Sequence, residues 1–332
     1  MGLLSGRRVS ILGTGMYVPE KIMTNDDLSR IVETSDEWIR ERTGITERHI
    51  AAEDELTSDL AYNAAMEALQ ESGIDPEELD MIIVGTNSPD TLFPGVAPKL
   101  QGMLGASRSG ANDIQAGCTS CINSLVMASA GIASGLWDTV LVVGAEELSR
   151  ILDWNDRNTC VIFGDGAGAV VLGTKDKGKG TVLSCDLKSD GKRHDFITLP
   201  GGLAENPASP ETIARRLHYV HMKGNDVFKF VTRILPPYLK DFCVQTDIPS
   251  EEIDWWIFHQ ANLRIMQSVL KRLGVSQEKS IVNLDKYGNT SAASTLMALH
   301  EGYKSGKIKE KDKVLLTSFG SGMTYGALIF QA

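Results

Sequence analysis

The chain has 332 residues, of which 42% are hydrophobic and 23% are charged, a balance that is ordinary for a globular protein with a large core. Its net charge of −10 argues against general binding to nucleic acid or to anionic membranes. The five cysteines lack a disulfide-framework spacing, and no segment has the pattern of a secretory signal or a membrane span. The sequence therefore predicts a protein of a reducing, cytoplasmic compartment.

Strands and helices are predicted to alternate through the first half of the chain. The segment DMIIVG at 80–85 is apolar after Asp80, which is typical of a strand buried on both faces of a parallel sheet. An amphipathic helix is predicted at 58–72, where it ends at a glycine. The other predictions are strands at 9–15, 139–144 and 167–172 and helices at 24–34, 35–39, 97–104 and from just after Gly117 to about 135.

A second α/β segment is predicted after a polar linker, KDKGKG at 175–180. A long helix at about 226–241 contains Pro236 and Pro237, which we expect to break or kink it. The other predictions are strands at 181–187, 255–258, 314–317 and 325–330, helices at 263–273 and 291–305, and a turn at 285–288.

The second half of the sequence repeats the first. The aligned pairs are DMIIVGTN (80–87) with DWWIFHQA (254–261), GCTS (117–120) with GNTS (288–291), and VLVVG (140–144) with VLLTS (314–318). Their offsets are 174, 171 and 174 residues, so the order and spacing of the elements are kept. We therefore predict an α/β protein of two similar halves, residues 1–174 and 175–332, whose apolar helices meet in the middle.

Cys118 stands where a strand or turn gives way to the helix that follows Gly117. A thiol at a helix start faces unpaired backbone N–H groups and the positive end of the helix dipole, which favour the nucleophilic thiolate. A buried, unreactive cysteine is the alternative interpretation. The repeat makes Asn289 equivalent to Cys118 and places His259 at the carboxyl end of a strand, where ligands of open α/β sheets collect. We therefore predict that Cys118, His259 and Asn289 lie near one another.

Seven separated motifs, taken in order, make the chain similar to a known family. They are TSDEWIRERTGITERHI at 34–50, AGC at 116–118, IFGDGAGAVVLG at 162–173, GNDVFK at 224–229, HQANLRI at 259–265, YGNTSAAS at 287–294 and FGSGMTYGALI at 319–329. Nearly the whole chain thus resembles the β-ketoacyl-acyl-carrier-protein synthase III family of condensing enzymes. The resemblance implies a thiolase-like α/β fold of two pseudo-symmetric halves in αβαβα layers, with the cysteine in half 1–174 and the histidine and asparagine in half 175–332.

The resemblance implies an acyltransferase that performs the initiating condensation of fatty acid synthesis. An acyl-CoA, with acetyl-CoA as the expected primer, would acylate Cys118, and malonyl-acyl-carrier protein would then condense with loss of CO₂ to give 3-oxoacyl-acyl-carrier protein. His259 and the Asn289 amide would donate hydrogen bonds to the enolate oxygen, and the backbone N–H groups of Cys118 and Ser321 would form an oxyanion hole. This chemistry calls for a CoA thioester as substrate and for no bound cofactor or metal.

Four residues acquire a CoA-binding role only through the resemblance. Trp38 is expected to stack on the CoA adenine, with Arg157 on the other face of the base. Arg42 is expected near a CoA phosphate and Asn225 near the pantetheine arm. As an alternative, Trp38 is an ordinary core residue.

Two cations and one aromatic residue are expected at protein–protein contacts. Lys229 and Arg264 match positions that guide the acidic carrier protein, with solvated surface charges as the alternative. Phe93 resembles the residue that reaches across a dimer to line the acyl pocket of the other subunit. The resemblance therefore implies a homodimer, which composition alone does not.

Two positions depart from the family pattern. Cys121 replaces a residue that is usually apolar, a change that can enlarge or alter the acyl pocket. Ser321 replaces a glycine but keeps its backbone N–H. The sequence leaves the primer undetermined, and two other functions stay open: a condensing or acyl-transfer enzyme of secondary metabolism with a different acceptor, and a non-catalytic acyl-CoA-binding protein.

Overall fold

The computed structural model describes residues 6–174 and 178–332, so residues 175–177 of the predicted linker lie outside the described residues. The strands described are β1 Ser10–Tyr17, β2 Lys21–Thr24, β3 Glu47–Ile50, β4 Met81–Gly85, β5 Gly110–Ile114, β6 Thr139–Glu146, β7 Gly166–Gly173, β8 Gly180–Ser189, β9 Ile197–Thr198, β10 His221–Met222, β11 Trp255–Phe258, β12 Lys313–Gly320 and β13 Thr324–Gln331. The α-helices described are α1 Asn25–Ser29, α2 Asp36–Thr43, α3 Thr57–Ser72, α4 Val96–Leu104, α5 Ser120–Ser134, α6 Pro210–Ala214, α7 Gly224–Gln245, α8 Leu263–Leu273, α9 Leu284–Tyr287 and α10 Ser294–Lys304.

Nine strands are hydrogen-bonded in the order β11-β12-β13-β8-β1-β7-β6-β4-β5. The junction in the middle is narrow, because β1 and β8 share only two residue pairs, Ser10 with Thr181 and Ile11 with Gly180. Both sides of the junction follow one plan: β4 is parallel to β6, which is antiparallel to β7, and β11 is parallel to β12, which is antiparallel to β13. The strand pairing therefore repeats, although the division into domains at 174/175 stays a prediction.

Three apolar cores separate five layers. One core packs α3 and α4 against β1, β4, β6 and β7, and another packs α7 and α8 against β11, β12 and β13. The central core joins α5 and α10 to strands of both halves. Because successive side chains of a strand point to opposite faces, Ile82 lies in an outer core and Ile83 in the central one. The layers are αβαβα, and the predicted α/β fold class is confirmed.

Glycines allow the middle of the molecule to pack tightly near the ends of two strands. A Cβ at Gly85 would lie 2.8 Å from the carbonyl carbon of Ser120, and a Cβ at Gly144 would lie 2.5 Å from the carbonyl oxygen of Ala292. The start of α5 and the 3₁₀ turn Ser291–Ala293 therefore both press against the first half of the sheet. This contact brings the segments of Cys118 and Asn289 together.

The structure differs from the predicted elements in three places. Helix α7 is continuous through Pro236 and Pro237, so of the predicted break or kink the break is wrong and the kink stays a prediction. Each proline removes one backbone N–H, but the apolar face of α7 is buried in the core, and that packing stabilises the turns on both sides. The predicted turn at 285–288 is the short helix α9, and the helix predicted at 24–34 ends at Ser29. No helix within the described ranges is long and apolar enough to cross a membrane.

Candidate active site

Two equivalent glycines precede Cys118 and Asn289. Gly117 has a φ of 60° and Gly288 has a φ of 64°, a left-handed backbone conformation that residues with a Cβ rarely adopt. Space is also lacking, since a Cβ at Gly117 would lie 2.5 Å from the backbone nitrogen of Ser321. A glycine with a positive φ thus directly precedes the candidate residue in each half.

The side chains of Cys118, His259 and Asn289 line one cavity of about 960 Å³. Cys118 precedes α5, His259 directly follows β11, and Asn289 precedes the turn that leads into α10. The other residues of the predicted site that line this cavity are Trp38, Arg42, Arg157, Asn225, Arg264 and Ser321. The cavity therefore brings together residues of the predicted site that lie up to 283 positions apart in the chain, from Trp38 to Ser321.

The Cys118 thiol is held by one hydrogen bond and is otherwise desolvated. The Ser291 hydroxyl donates to Cys118 Sγ at 3.3 Å. Burial raises the pKa of the Cys118 thiol to about 12, and the nearby Glu146 also raises it, while the Ser291 hydrogen bond opposes them. Desolvation thus outweighs the stabilisation of the thiolate that the helix start predicts, and the thiol is protonated at neutral pH.

We expect the alkylation of Cys118 by iodoacetamide to accelerate without a plateau from about pH 6 to pH 9. Since the thiol pKa lies near 12, the thiolate fraction grows roughly tenfold with each pH unit throughout that range. The rate is measured by intact-protein mass, with Cys118→Ser as the blank that reports alkylation elsewhere. A plateau reached below about pH 8 would contradict the desolvated thiol.

His259 is 1% exposed and is held from two sides. Its backbone N–H donates to the carbonyl oxygen of Thr317 at 2.8 Å, and its Nδ1 lies 2.7 Å from Ser294 Oγ. The Phe319 ring packs edge-on against the imidazole, with the ring centroids 5.3 Å apart. Burial lowers the pKa of His259 to about 3, so the imidazole is neutral. Its Nε2 has no hydrogen-bond partner among the described residues and is available to a ligand in the cavity.

The Asn289 amide is oriented by its own backbone turn. Its Oδ1 accepts a hydrogen bond from the Ser291 backbone N–H at 2.8 Å, so the Nδ2 donors are left for the cavity. The main chain is fixed as well, because the Asn289 N–H donates to the Ile162 carbonyl at 2.9 Å and its carbonyl accepts from the Gly164 N–H at 3.1 Å. The site thus presents an amide donor and an imidazole nitrogen to the same space.

The backbone of Gly320 and Ser321 lies directly against Cys118. A Cβ at Gly320 would lie 2.4 Å from the Cys118 backbone nitrogen, so only glycine fits there. The Ser321 hydroxyl turns away from the thiol and donates to the carbonyl oxygen of Ile197 at 2.8 Å. The serine that departs from the family pattern therefore adds a hydrogen bond to the cavity wall and leaves its backbone beside the cysteine.

A buried carboxyl group that the sequence analysis missed connects the two halves at this site. Glu146 is fully buried at the end of β6. Its oxygens accept from the Asn87 N–H at 3.0 Å, the Asn87 amide at 2.6 Å, the Ser88 N–H at 3.1 Å, the Ser88 hydroxyl at 2.6 Å and the Ala292 N–H at 3.3 Å. The Asn87 amide also donates to the Gly117 carbonyl at 3.0 Å. The sequence does hold a signal for this residue: Glu146 is an acidic residue at the end of the mostly apolar segment TVLVVGAE.

The four residues expected to bind CoA lie along the cavity. Trp38 is half-buried, and the guanidinium carbons of Arg157 and Arg42 lie 5.2 Å and 5.9 Å from its ring centroid. Arg157 also donates to the Glu33 carbonyl at 3.0 Å. Asn225 is exposed in the first turn of α7. An aromatic face with two cations beside it suits a nucleotide base and its phosphates.

The residues expected at protein–protein contacts are on the surface. Lys229 is exposed on α7, and Arg264 is exposed at the start of α8 with its guanidinium carbon 5.9 Å from the Phe228 ring centroid. Of these two cations, only Arg264 lines the cavity. Phe93 is 82% exposed and is absent from the cavity lining of its own chain. Within the described residues, no cluster of three His, Cys, Asp or Glu side chains could hold a metal ion.

The chain is similar to known proteins of one kind in both sequence and structure. Residues 112–191 match the family described as 3-oxoacyl-[acyl-carrier-protein (ACP)] synthase III, and residues 243–332 match the C-terminal family of the same enzymes. The chain is 48% identical over 322 residues to a β-ketoacyl-[acyl-carrier-protein] synthase III of Symbiobacterium thermophilum, with 97% of each chain covered. It is similar to the crystal structure of 3-oxoacyl-[acyl-carrier-protein] synthase III from Aquifex aeolicus, with a TM-score of 0.89, 42% identity, and coverage of 98% of this chain and 100% of that one.

Proposed function

The chain belongs to the 3-oxoacyl-[acyl-carrier-protein] synthase III family, acyltransferases that join an acyl group from CoA to malonyl-acyl-carrier protein to initiate fatty acid synthesis, and we propose that Cys118, His259 and Asn289 perform this reaction here. The observation that supports these roles is the single cavity lined by all three side chains. The glycines with a positive φ before Cys118 and Asn289 add to this support, because the two residues occupy equivalent places in the repeat and line the same cavity.

In the first half-reaction, Cys118 Sγ attacks the carbonyl carbon of an acyl-CoA thioester. The new S–C bond forms as the bond to the CoA sulfur breaks, and the proton of the Cys118 thiol leaves with CoA. One thioester replaces another, so little free energy is lost. The backbone N–H groups of Cys118 and Ser321 would stabilise the oxyanion of the tetrahedral intermediate, in line with the close packing of Gly320 on Cys118.

In the second half-reaction, the malonyl thioester loses CO₂, and the electron pair of the broken C–C bond becomes an enolate. His259 Nε2–H and Asn289 Nδ2 would donate to the enolate oxygen, which removes the need for a strong base. The carbanion carbon attacks the acyl-Cys118 carbonyl, and Cys118 departs and takes up one proton from solvent. The products are 3-oxoacyl-acyl-carrier protein and CO₂, and the free enzyme is restored.

Binding roles outside the three reacting residues belong to the same proposal. Trp38, Arg42, Arg157 and Asn225 would hold the CoA, and the exposed cations Lys229 and Arg264 would guide the acidic carrier protein along α7 and α8. A homodimer would cover Phe93, which is unusually exposed for a phenylalanine. A cytoplasmic location fits the CoA and carrier-protein substrates and stays a prediction.

Replacement of Trp38 by alanine is expected to raise the KM for acyl-CoA by about tenfold. Stacking of a base on an aromatic ring contributes roughly 1–3 kcal/mol, and 1.4 kcal/mol is a factor of ten in affinity. The kcat at saturating acyl-CoA should change little, because Trp38 is remote from the reacting carbonyl. Trp38→Phe is the matched control and should keep most of the affinity. If Trp38→Ala binds CoA as tightly as the wild type in calorimetry, the stacking role is wrong.

Intact-protein mass tests the proposed reaction. The wild-type protein is mixed with a panel of acyl-CoAs of increasing length and branching, and we expect a single acyl adduct whose yield ranks the primers. Malonyl-acyl-carrier protein is then added, and the adduct should disappear as CO₂ and 3-oxoacyl-acyl-carrier protein form in equal amounts. An adduct that is discharged without release of CO₂ would indicate a plain acyl transferase with another acceptor. No adduct from any acyl-CoA would contradict both catalytic functions.

A further inference from the structure

Ser294 Oγ, in the first turn of α10, contacts three polar groups at the bottom of the site. It lies 2.7 Å from His259 Nδ1, 3.2 Å from the Gln260 backbone nitrogen and 2.9 Å from the Ser291 carbonyl oxygen. Ser294 is 2% exposed and His259 is 1% exposed, so bulk water does not compete for these hydrogen bonds. The family motif contains this serine, but the sequence analysis gave it no role.

The protons in this group can be assigned from what each atom is able to donate. The Gln260 backbone N–H can only donate, so it occupies a lone pair of Ser294 Oγ. The single hydroxyl proton then has two acceptors, His259 Nδ1 and the Ser291 carbonyl. That carbonyl already accepts the Ser294 backbone N–H, whereas Nδ1 has Ser294 Oγ as its one partner among the described residues. In the opposite arrangement Nδ1–H would donate to the second lone pair of Ser294 Oγ and the hydroxyl to the Ser291 carbonyl. The Oγ–Nδ1 contact would then be an N–H···O bond, but its length of 2.7 Å is the one usual for an O–H donor, so the hydroxyl proton is assigned to Nδ1.

We propose that Ser294 is a positioning residue whose hydroxyl donates to His259 Nδ1 and thereby keeps the single imidazole proton on Nε2, which faces the cavity. The neutral ring has one N–H, and an Nδ1 that accepts from Ser294 leaves the proton to Nε2. The opposite tautomer would turn an unprotonated nitrogen toward the enolate oxygen and would repel it. Ser294 therefore decides whether His259 is a donor or an acceptor in the site.

This inference rests on the proposed function, because it matters most for the malonyl half-reaction. The enolate oxygen needs two donors, and Asn289 Nδ2 supplies one whatever the state of the imidazole. The second donor is the Nε2–H of His259. Acyl transfer to Cys118 makes no use of this donor, so the two half-reactions should respond differently to a change at Ser294.

The first test measures the tautomer directly in the wild-type protein. The six histidines are labelled with ¹⁵N, and the two-bond ¹H–¹⁵N correlations show which ring nitrogen carries the proton in each. The spectrum of His259→Asn identifies the His259 signals by their absence. We expect Nε2 protonated and Nδ1 unprotonated at neutral pH. A protonated Nδ1 with a bare Nε2 would overturn the proposal, and this reading needs neither turnover nor a Ser294 variant.

The second test separates the two half-reactions in Ser294→Ala and Ser294→Thr. In Ser294→Ala we expect decarboxylation of malonyl-acyl-carrier protein by the acyl-enzyme to fall at least tenfold, while acylation of Cys118 changes less than threefold. The His259 correlations should show loss of the pure Nε2–H form. Ser294→Thr keeps a hydroxyl and should recover most of the decarboxylation rate. Equal losses in both half-reactions, with an unchanged tautomer, would mean that the serine is only a packing residue.

The two tests distinguish failure of this inference from failure of the proposed function. If wild-type protein forms no acyl adduct and releases no CO₂, the proposed function is wrong, yet the tautomer measurement still judges the role of Ser294. If the wild type condenses normally and the His259 proton lies on Nδ1, the proposed function stands and the Ser294 inference is wrong.

Discussion

Replacement of Cys118 by serine is expected to abolish the acyl-enzyme adduct and to lower the rate of condensation by about 10³-fold or more. A serine hydroxyl is a far weaker acid than a thiol, and His259 is too weak a base to activate it, because burial lowers the pKa of His259 to about 3. The measurement is intact-protein mass after exposure to acyl-CoA, together with the kcat for condensation.

Cys121→Ser is the matched control for this prediction. Cys121 is fully buried one turn along α5, and burial raises the pKa of its thiol to about 12 as well, so the two cysteines differ mainly in access to the cavity. We expect the Cys121→Ser protein to keep the adduct. An adduct that survives in Cys118→Ser, or that vanishes only in Cys121→Ser, would indicate that Cys121 is the nucleophile.

Replacement of Glu146 by alanine is expected to lower the free energy of unfolding by about 3 kcal/mol or more. The change removes the acceptor of six hydrogen bonds in a fully buried place, and among the described residues the N–H groups of Asn87 and Ala292 would lose their hydrogen-bond partner. Glu146→Gln keeps one acceptor oxygen and should lose less. The measurement is unfolding in urea, followed by circular dichroism.

The control for Glu146 is Glu77→Ala, because Glu77 is exposed and, among the described residues, its carboxylate accepts a hydrogen bond only from the Ser107 hydroxyl. Surface substitutions of this kind change stability by less than about 0.5 kcal/mol. Glu146→Ala should also slow acylation of Cys118 beyond its effect on stability, since the same group holds Asn87 against the Gly117 carbonyl. Equal unfolding midpoints for the two alanine variants would show that Glu146 is not a structural link.

The meeting of Cys118, His259 and Asn289 in one cavity was predictable because these residues sit in local sequence patterns. Gly117-Cys118 and Gly288-Asn289 recur at a fixed offset, and each glycine is required by a left-handed turn that no other residue adopts easily. His259 directly follows the strand that was predicted at 255–258 and is observed there. Because the repeat makes Cys118 and Asn289 equivalent, it predicts that these two residues are neighbours in the folded protein.

The hydrogen-bond partners of those residues were not predictable in the same way. Ser291 and Ser294 are ordinary residues of a helix start, and only the packed structure shows that one contacts Cys118 Sγ and the other His259 Nδ1. The prolines of α7 have a local effect, the loss of a backbone N–H, and from that effect alone a break or kink of the helix is expected. Burial of the helix face overrides that local effect, because the apolar packing is distributed over the whole helix.

Periodicity, spacing and residue type predicted the α/β class, the repeated order of elements and the three residues that line one cavity, and the resemblance of seven motifs indicated the family. Only the tertiary structure decided the state of the groups at that site: a thiol kept protonated by desolvation, a neutral imidazole and a buried carboxyl group that joins the halves. The physical reason is that burial and hydrogen bonding act between residues that are distant in the chain. Their energies depend on distances of a few tenths of an ångström that no sequence pattern encodes.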